Sequence, residues 1–235
     1  MIAIIKLGST MPELSRVCGD FEHWMAAGMG LGESQCTVVD AVAGQPLPEP
    51  GRIAGAVVTG SHEFVTDRSE WSERTGRWLV QTVERELPVL AICYGHQLLA
   101  DAVGGRVGRN PHGKETGSVQ INLTSAAVDD PLMAGLPDPL WVQSSHFESV
   151  QELPAGAVRL AGNEHDLNHA FRLGRCAWGV QFHPEFNAAA TRAYVRLSEK
   201  TLRDQGQDPA QVLSDVRETP ESAGLLRRFA QYVLR

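Results

Sequence analysis

The sequence lacks any long hydrophobic run. Its 235 residues contain no uninterrupted apolar stretch of the roughly 18 residues that a membrane-spanning helix needs, so no transmembrane helix is expected. Basic residues are also in the minority. There are 21 Lys and Arg against 28 Asp and Glu, a formal net charge of -7. That balance argues against nucleic acid as a partner, since a nucleic-acid binder usually presents a basic face. It argues equally against an anionic membrane surface.

Cysteine is scarce. Cys18, Cys36, Cys93 and Cys176 lie far apart, with no Cys-x-x-Cys pair. The chain is too large and too cysteine-poor for a disulfide scaffold. The opening "MIAIIKLGST" has no basic n-region and reads as a first strand rather than a signal peptide. These features together imply a cytoplasmic protein with free thiols. No Gly-rich segment runs into Lys-Ser/Thr, which excludes a P-loop, and "SHEFVT" lacks the second histidine of a zinc-protease motif. There is no repeat, low-complexity tract or linker.

What is present is an alternation of strand and helix patterns. "IAIIKL" (2–7) is an apolar run suited to a strand buried on both faces. Leu14, Val17, Phe21, Trp24 and Met25 then recur at helical spacing, which predicts one amphipathic helix ending near the glycines at 28, 30 and 32. "CTVVDA" and "IAGAVVTG" are further strands. Residues 70–87 read as a helix, "VLAIC" as a strand, and the segment through Val103 as another helix. This order predicts an α/β fold, an open and mainly parallel twisted sheet flanked by helices. The second half differs. "SVQINL", "LWVQ", "VRLAG", "NHAFRL" and "CAWGVQF" are short strands that predict a small mixed or antiparallel extension. Residues 188–235 read as mostly helical, broken at "QGQDP". We expect one domain over 1–235, with 198–235 a C-terminal helical extension. That extension packs as an amphipathic cap or docks a partner or a second copy in a homodimer.

Two segments carry chemistry. In "VLAICYGHQLL" a strand ends on Cys93, Gly95 follows two residues later, and a helix begins. A sharp strand-to-helix turn of this kind lifts a nucleophile above the sheet edge. The helix N-terminus favours thiolate. Alone, the pattern equally suits a buried structural thiol, the role assigned to the other three cysteines. In "GVQFHPEF", His183 and Glu185 are two residues apart and Pro184 biases His183 toward extended backbone. Both side chains then project to one face, as a base and its orienter do. A solvated loop is the alternative for this segment taken by itself. The i, i+4 histidines of "HDLNH" (His165 and His169, with Asp166) fall in a turn between strands and are not read as a metal site.

Together the two segments resemble the class I, triad-type glutamine amidotransferases. The matching blocks are "VVTGSHEFVTD" (57–67), "ICYGHQLLADAVGG" (92–105), "HGKETG" (112–117), "SSHFESV" (144–150) and "GVQFHPEF" (179–186), in the family's order. The resemblance implies a flavodoxin-like fold. It also implies a Cys93 nucleophile that attacks the γ-amide of glutamine, a His183 base and a Glu185 orienter. A γ-glutamyl thioester would form and release ammonia. Tyr94 at the helix start offers one oxyanion N–H, and the family position of Gly60-Ser61 implies a second. Gln97 matches a substrate-contacting glutamine, and Ser144, Ser145 and His146 match the segment that holds the α-amino and α-carboxylate end of the substrate. No metal or cofactor is implied. The resemblance implies glutamine or another γ-glutamyl compound as the substrate, with a separate acceptor-synthase subunit to receive the ammonia.

The chain departs from the family by reading Gly60-Ser61-His62 where members with an acceptor domain often read Gly-Gly-Pro. That departure leaves open whether the oxyanion hole is pre-formed. "GSHEF", "CYGHQ" and "HPEFN" resemble a stand-alone subgroup, the plant γ-glutamyl peptidases and bacterial GMP-synthase-like proteins. The resemblance therefore also admits a self-sufficient γ-glutamyl hydrolase. A third reading is a non-catalytic regulatory subunit.

Overall fold

A computed structural model describes residues 1–32 and 34–235. Eleven strands and eight α-helices are described. The first half contains β1 (Ile2–Lys6), α1 (Pro12–Cys18), α2 (Phe21–Met29), β2 (Cys36–Asp40) and β3 (Gly55–Val58). It continues through α3 (Glu70–Glu84), β4 (Val89–Ile92) and α4 (Tyr94–Ala102). The strands that follow are β5 (Arg106–Arg109), β6 (Glu115–Leu123), β7 (Leu140–His146), β8 (Glu148–Glu152), β9 (Ala157–Gly162), β10 (Ala170–Leu173) and β11 (Ala177–Val180). The chain ends on α5 (Ala188–Leu197), α6 (Glu199–Asp204), α7 (Pro209–Asp215) and α8 (Pro220–Val233).

Nine strands form one sheet in the order β2-β1-β3-β4-β11-β10-β9-β6-β7. The first five run parallel, and from β10 onward each neighbour is antiparallel. β5 and β8 pair separately as a two-stranded antiparallel ribbon. The opening apolar run follows from burial on both faces. Ile2 and Ile4 pack with Met25, Met29, Leu226 and Phe229 of α2 and α8. Ala3 and Ile5 belong to the opposite layer, with Trp78, Leu79, Leu98 and Leu99 of α3 and α4. Successive strand residues face opposite layers, so both parities must be apolar.

Three expectations need correction. The predicted first helix is two helices, because Gly19 takes φ 82° and Asp20 caps α2 through a capping box. None of α1 is buried, and Val17 is exposed. Of the cysteines assigned to the interior, only Cys176 is buried; Cys18 is exposed and Cys36 intermediate. β5 and β8 lie in segments not read as strands. β5 is short and largely exposed, and its pattern "RVGR" carries only one apolar residue.

The C-terminal α8 is integral to one core layer, with Leu225, Leu226 and Phe229 wholly buried. No described helix is long and apolar enough to cross a membrane.

Candidate active site

Three adjacent parallel strands deliver the site. β4 lies between β3 and β11, with Ala91 opposite Val58 and Ile92 opposite Val180. The residues just past their carboxyl ends therefore meet above the sheet edge, where open α/β sheets form their sites. β3 delivers Gly60-Ser61, β4 delivers Cys93, and β11 delivers His183 and Glu185.

Cys93 has φ 50° and ψ −102°, a left-handed conformation that a non-glycine residue adopts at a cost. Its N–H donates to Val180 O at 2.8 Å, so the strained turn is anchored to β11. Gly95 is required by packing, since a Cβ there would sit 2.8 Å from the Val58 carbonyl oxygen. Cys93 Sγ lies 4.0 Å from Ser145 O of β7.

His183 is held on three sides. Its N–H donates to Gln143 O at 2.8 Å. Nδ1 lies 2.7 Å from Glu185 Oε1, and the ring stacks on Phe186 with centroids 4.1 Å apart and planes 13° apart. With Nδ1 bonded to the carboxylate, Nε2 is the nitrogen free for proton transfer. Burial pushes the Cys93 thiol up, but the charge and hydrogen bond of His183, aided by His146, outweigh it and hold the thiol below its ordinary value. Burial likewise opposes the His183 imidazolium, yet Glu185 and the Cys93 sulfur raise its pKa. The arrangement favours a thiolate–imidazolium pair.

Gly60 abuts both groups. An added Cβ would lie 3.2 Å from His183 Cε1 and 3.6 Å from Cys93 Cβ. Ser61 does not take a positive φ, so this loop makes no conformational demand that serine fails to meet. Among the described residues, neither the Ser61 nor the Tyr94 N–H donates to another group. Both stand at the cavity beside Cys93.

That cavity has a volume of about 340 Å³. Of the predicted residues it brings together Ser61, Cys93, Tyr94, Gln97, Ser145, His146 and His183. Gln97 donates to Glu148 O at 2.7 Å and Gln181 Oε1 at 2.9 Å, so its amide is locked in place. Ser144 does not line the cavity; it is buried and its hydroxyl donates to Glu115. His96 is wholly buried, packs on Phe171, and has its pKa pushed down to about 3 by burial, so it is neutral near pH 7.

The "HDLNH" histidines diverge. His165 Nε2 faces Gly113 O at 3.1 Å, whereas His169 turns inward. His169 Nε2 and His146 Nε2 both face Glu115 Oε2, at 2.9 and 3.1 Å, and Ser144 Oγ donates to the same oxygen. His146 Nδ1 donates to Glu148 O, and Asn163 donates to Glu115 Oε1. Glu115 is thus the hub of a buried polar network behind the cavity. One ligand atom each from Glu115, His146 and His169 lies within 4.8 Å of the others, which makes this the described cluster able to hold a metal ion.

The sequence reading missed His62, Phe64, Lys114, Phe147 and Tyr194 as cavity residues. His62, Phe64, Lys114 and Phe147 all lie inside matched blocks. Tyr194 arrives from α5, where its hydroxyl meets Thr10 Oγ1 and His62 Nε2, each at 3.0 Å, and no local pattern marks it.

The family profile described as Glutamine amidotransferase class-I matches residues 59–198. A GMP synthase (glutamine-hydrolyzing) of Aeropyrum pernix is 36% identical over 149 residues, covering 63% of this chain and 27% of that protein. A shorter GMP synthase (glutamine-hydrolyzing) subunit, from Archaeoglobus fulgidus, is 33% identical over 134 residues, covering 54% of this chain and 71% of that protein. The chain thus spans about a quarter of the length of the larger GMP synthases it matches. The fold is that of a solved glutamine amidotransferase from Thermotoga maritima, with TM-score 0.77, 22% identity, and coverage of 100% of this chain and 98% of that one. From the match over residues 59–198, the strand order and the site at the β3-β4-β11 edge, this chain belongs to the class-I glutamine amidotransferase family.

Proposed function

We propose that the chain hydrolyses the γ-amide of glutamine through Cys93 and passes ammonia to a separate acceptor enzyme. The observation that carries this reading is the meeting of Cys93, His183 and Glu185 beside two uncommitted N–H groups, those of Ser61 and Tyr94. The Cys93 thiolate attacks the γ-carbonyl carbon, and the developing oxyanion lies toward the Ser61 and Tyr94 N–H donors. His183 Nε2 gives its proton to the departing ammonia, leaving a γ-glutamyl thioester. It then takes a proton from the water that cleaves the thioester to glutamate. Glu185 holds the imidazole in the tautomer that both steps need. Relatives named as glutamine-hydrolyzing GMP synthases support the substrate assignment.

The test is ammonia release from glutamine by the isolated chain, beside cleavage of γ-glutamyl-p-nitroanilide. Glutamine turnover lost in Cys93→Ser supports the reading. Strong anilide cleavage with negligible glutamine turnover replaces it with a self-sufficient γ-glutamyl hydrolase. No turnover of either refutes both.

A further inference from the structure

Glu115 opens β6 and is opposite His146 of β7, while Thr116 is opposite Ser145. Opposed residues of an antiparallel pair project to the same face, and neighbours alternate. Glu115 and His146 therefore share one face, from which His146 also reaches the cavity. Lys114, one residue earlier, belongs with Ser145 and Phe147 on the other, and all three line the cavity that holds Cys93. The Lys114 ammonium sits 4.7 Å from the centre of the Phe147 ring.

The loop that presents Lys114 is fixed. Asn110 Oδ1 accepts from the His112 N–H, Asn110 O accepts from the Gly113 N–H, and Gly113 takes φ 86°. His165 Nε2 meets Gly113 O. The backbone that carries Lys114 is therefore held in place, and its side chain is half-buried against Phe147. Yet among the described residues no carboxylate lies within 4.0 Å of its ammonium. Burial lowers its pKa, and the one opposing charge is the Cys93 sulfur. A half-buried cation without a counter-ion beside a nucleophile is costly unless a ligand supplies the anion.

Resting on the γ-glutamyl reading above, we propose that Lys114 is the carboxylate-binding residue of this pocket, pairing with a carboxylate of the substrate. Every γ-glutamyl compound brings an α-carboxylate, and a γ-glutamyl amino acid brings a second one on its leaving group. Arg109, which among the described residues has no carboxylate within 4.0 Å, lies over the Phe64 ring at 3.9 Å and near Phe147 at 5.4 Å. Lys114 in the cavity wall and Arg109 over a lining ring thus place positive charge beside Phe64 and Phe147, which suits an anionic group.

Kinetics of wild type, Lys114→Met and Lys114→Arg on four compounds test this. The compounds are L-glutamine, its α-amide, γ-glutamylglycine and γ-glutamylglycinamide. Pairing with the α-carboxylate predicts that Lys114→Met loses about 10²-fold in kcat/KM on glutamine, chiefly through KM, and loses little on the α-amide. Pairing with a leaving-group carboxylate predicts that loss on γ-glutamylglycine alone. Either pattern, with partial rescue by Lys114→Arg and unchanged alkylation of Cys93 by neutral iodoacetamide, supports the proposal. An equal loss on all four compounds means that Lys114 acts through the thiolate and overturns it, as does no loss on any. If wild type turns over none of the four, the γ-glutamyl reading fails and this inference falls with it.

Discussion

His183 Nδ1 and Glu185 Oε1 are 2.7 Å apart, and both side chains are almost wholly buried. Their separation by one residue makes the pair local, but its function depends on Cys93, ninety positions earlier. The pair fixes which imidazole nitrogen faces the thiol and supplies the charge that stabilises imidazolium. Removing the charge has a definite sign. Because Glu185 raises the His183 pKa, Glu185→Gln lowers it, and the alkaline limb of the kcat/KM profile moves to lower pH. We expect kcat to fall about 10²-fold or more. An unmoved alkaline limb would refute this role for Glu185.

Cys93 is held below its ordinary pKa and His183 above its own. The thiolate therefore forms as pH rises through a value lower than the roughly 8.5 of a free cysteine. Iodoacetamide alkylation followed by mass spectrometry should reach half its limiting rate below that pH at Cys93. Cys18, which is exposed, serves as the internal reference. Coincident profiles for the two would show that His183 does not activate the thiol. Cys93→Ser should cost on the order of 10⁴ or more in turnover.

Gly60 tests the geometry of the hole. Its added Cβ would press on His183 Cε1 at 3.2 Å. Gly60→Ala should lower kcat/KM by about tenfold or more, since small displacements of reacting groups are expensive. Urea unfolding should shift by less than about 1 kcal/mol, because His183 can yield slightly without opening the core. A large stability loss with intact activity would contradict the placement.

The Glu115 hub predicts a pH-dependent stability. Burial opposes the Glu115 carboxylate, but His169 and His146 outweigh it and hold its pKa well below the ordinary value. That contribution is fully present above the unfolded value of about 4.3 and is lost as pH falls through the folded one. His169 is shifted the other way by Glu115, against burial. Its contribution is present below about 6.5 and is lost as pH rises through its folded value. Between those limits both act. At pH 5.5, Glu115→Gln should lower the unfolding free energy by about 3–5 kcal/mol, the cost of breaking a buried ion pair. A change below about 1 kcal/mol in urea titrations would show the hub to be energetically idle.

Much of the site was legible because its chemistry is local. Strand-Cys93-x-Gly95-helix is a turn geometry written in consecutive residues, and His183-Pro184-Glu185 places the proposed base and orienter on one face of one segment. The buried parallel strands were legible from runs such as "IAIIKL", because a strand covered on both faces must be apolar at every position. The split between α1 and α2 was written there too, in Gly19 and Asp20, but the apolar spacing across them masked it.

The tertiary structure decided what sits beside what. β11 is last of the strands in sequence yet inserts next to β4, and only that pairing carries His183 to Cys93. The register of β6 on β7 sends Glu115 to a buried hub with His146 and His169, and leaves Lys114 facing the cavity. Tyr194 reaches Thr10 and His62 across more than a hundred residues. The sequence by itself determined the candidate nucleophile, its candidate base and the layered α/β plan, because period and turn chemistry act over a few residues. Strand order, register and the partners of each buried charge came from the fold alone, because they are set by long-range pairing and by desolvation, which no local pattern encodes.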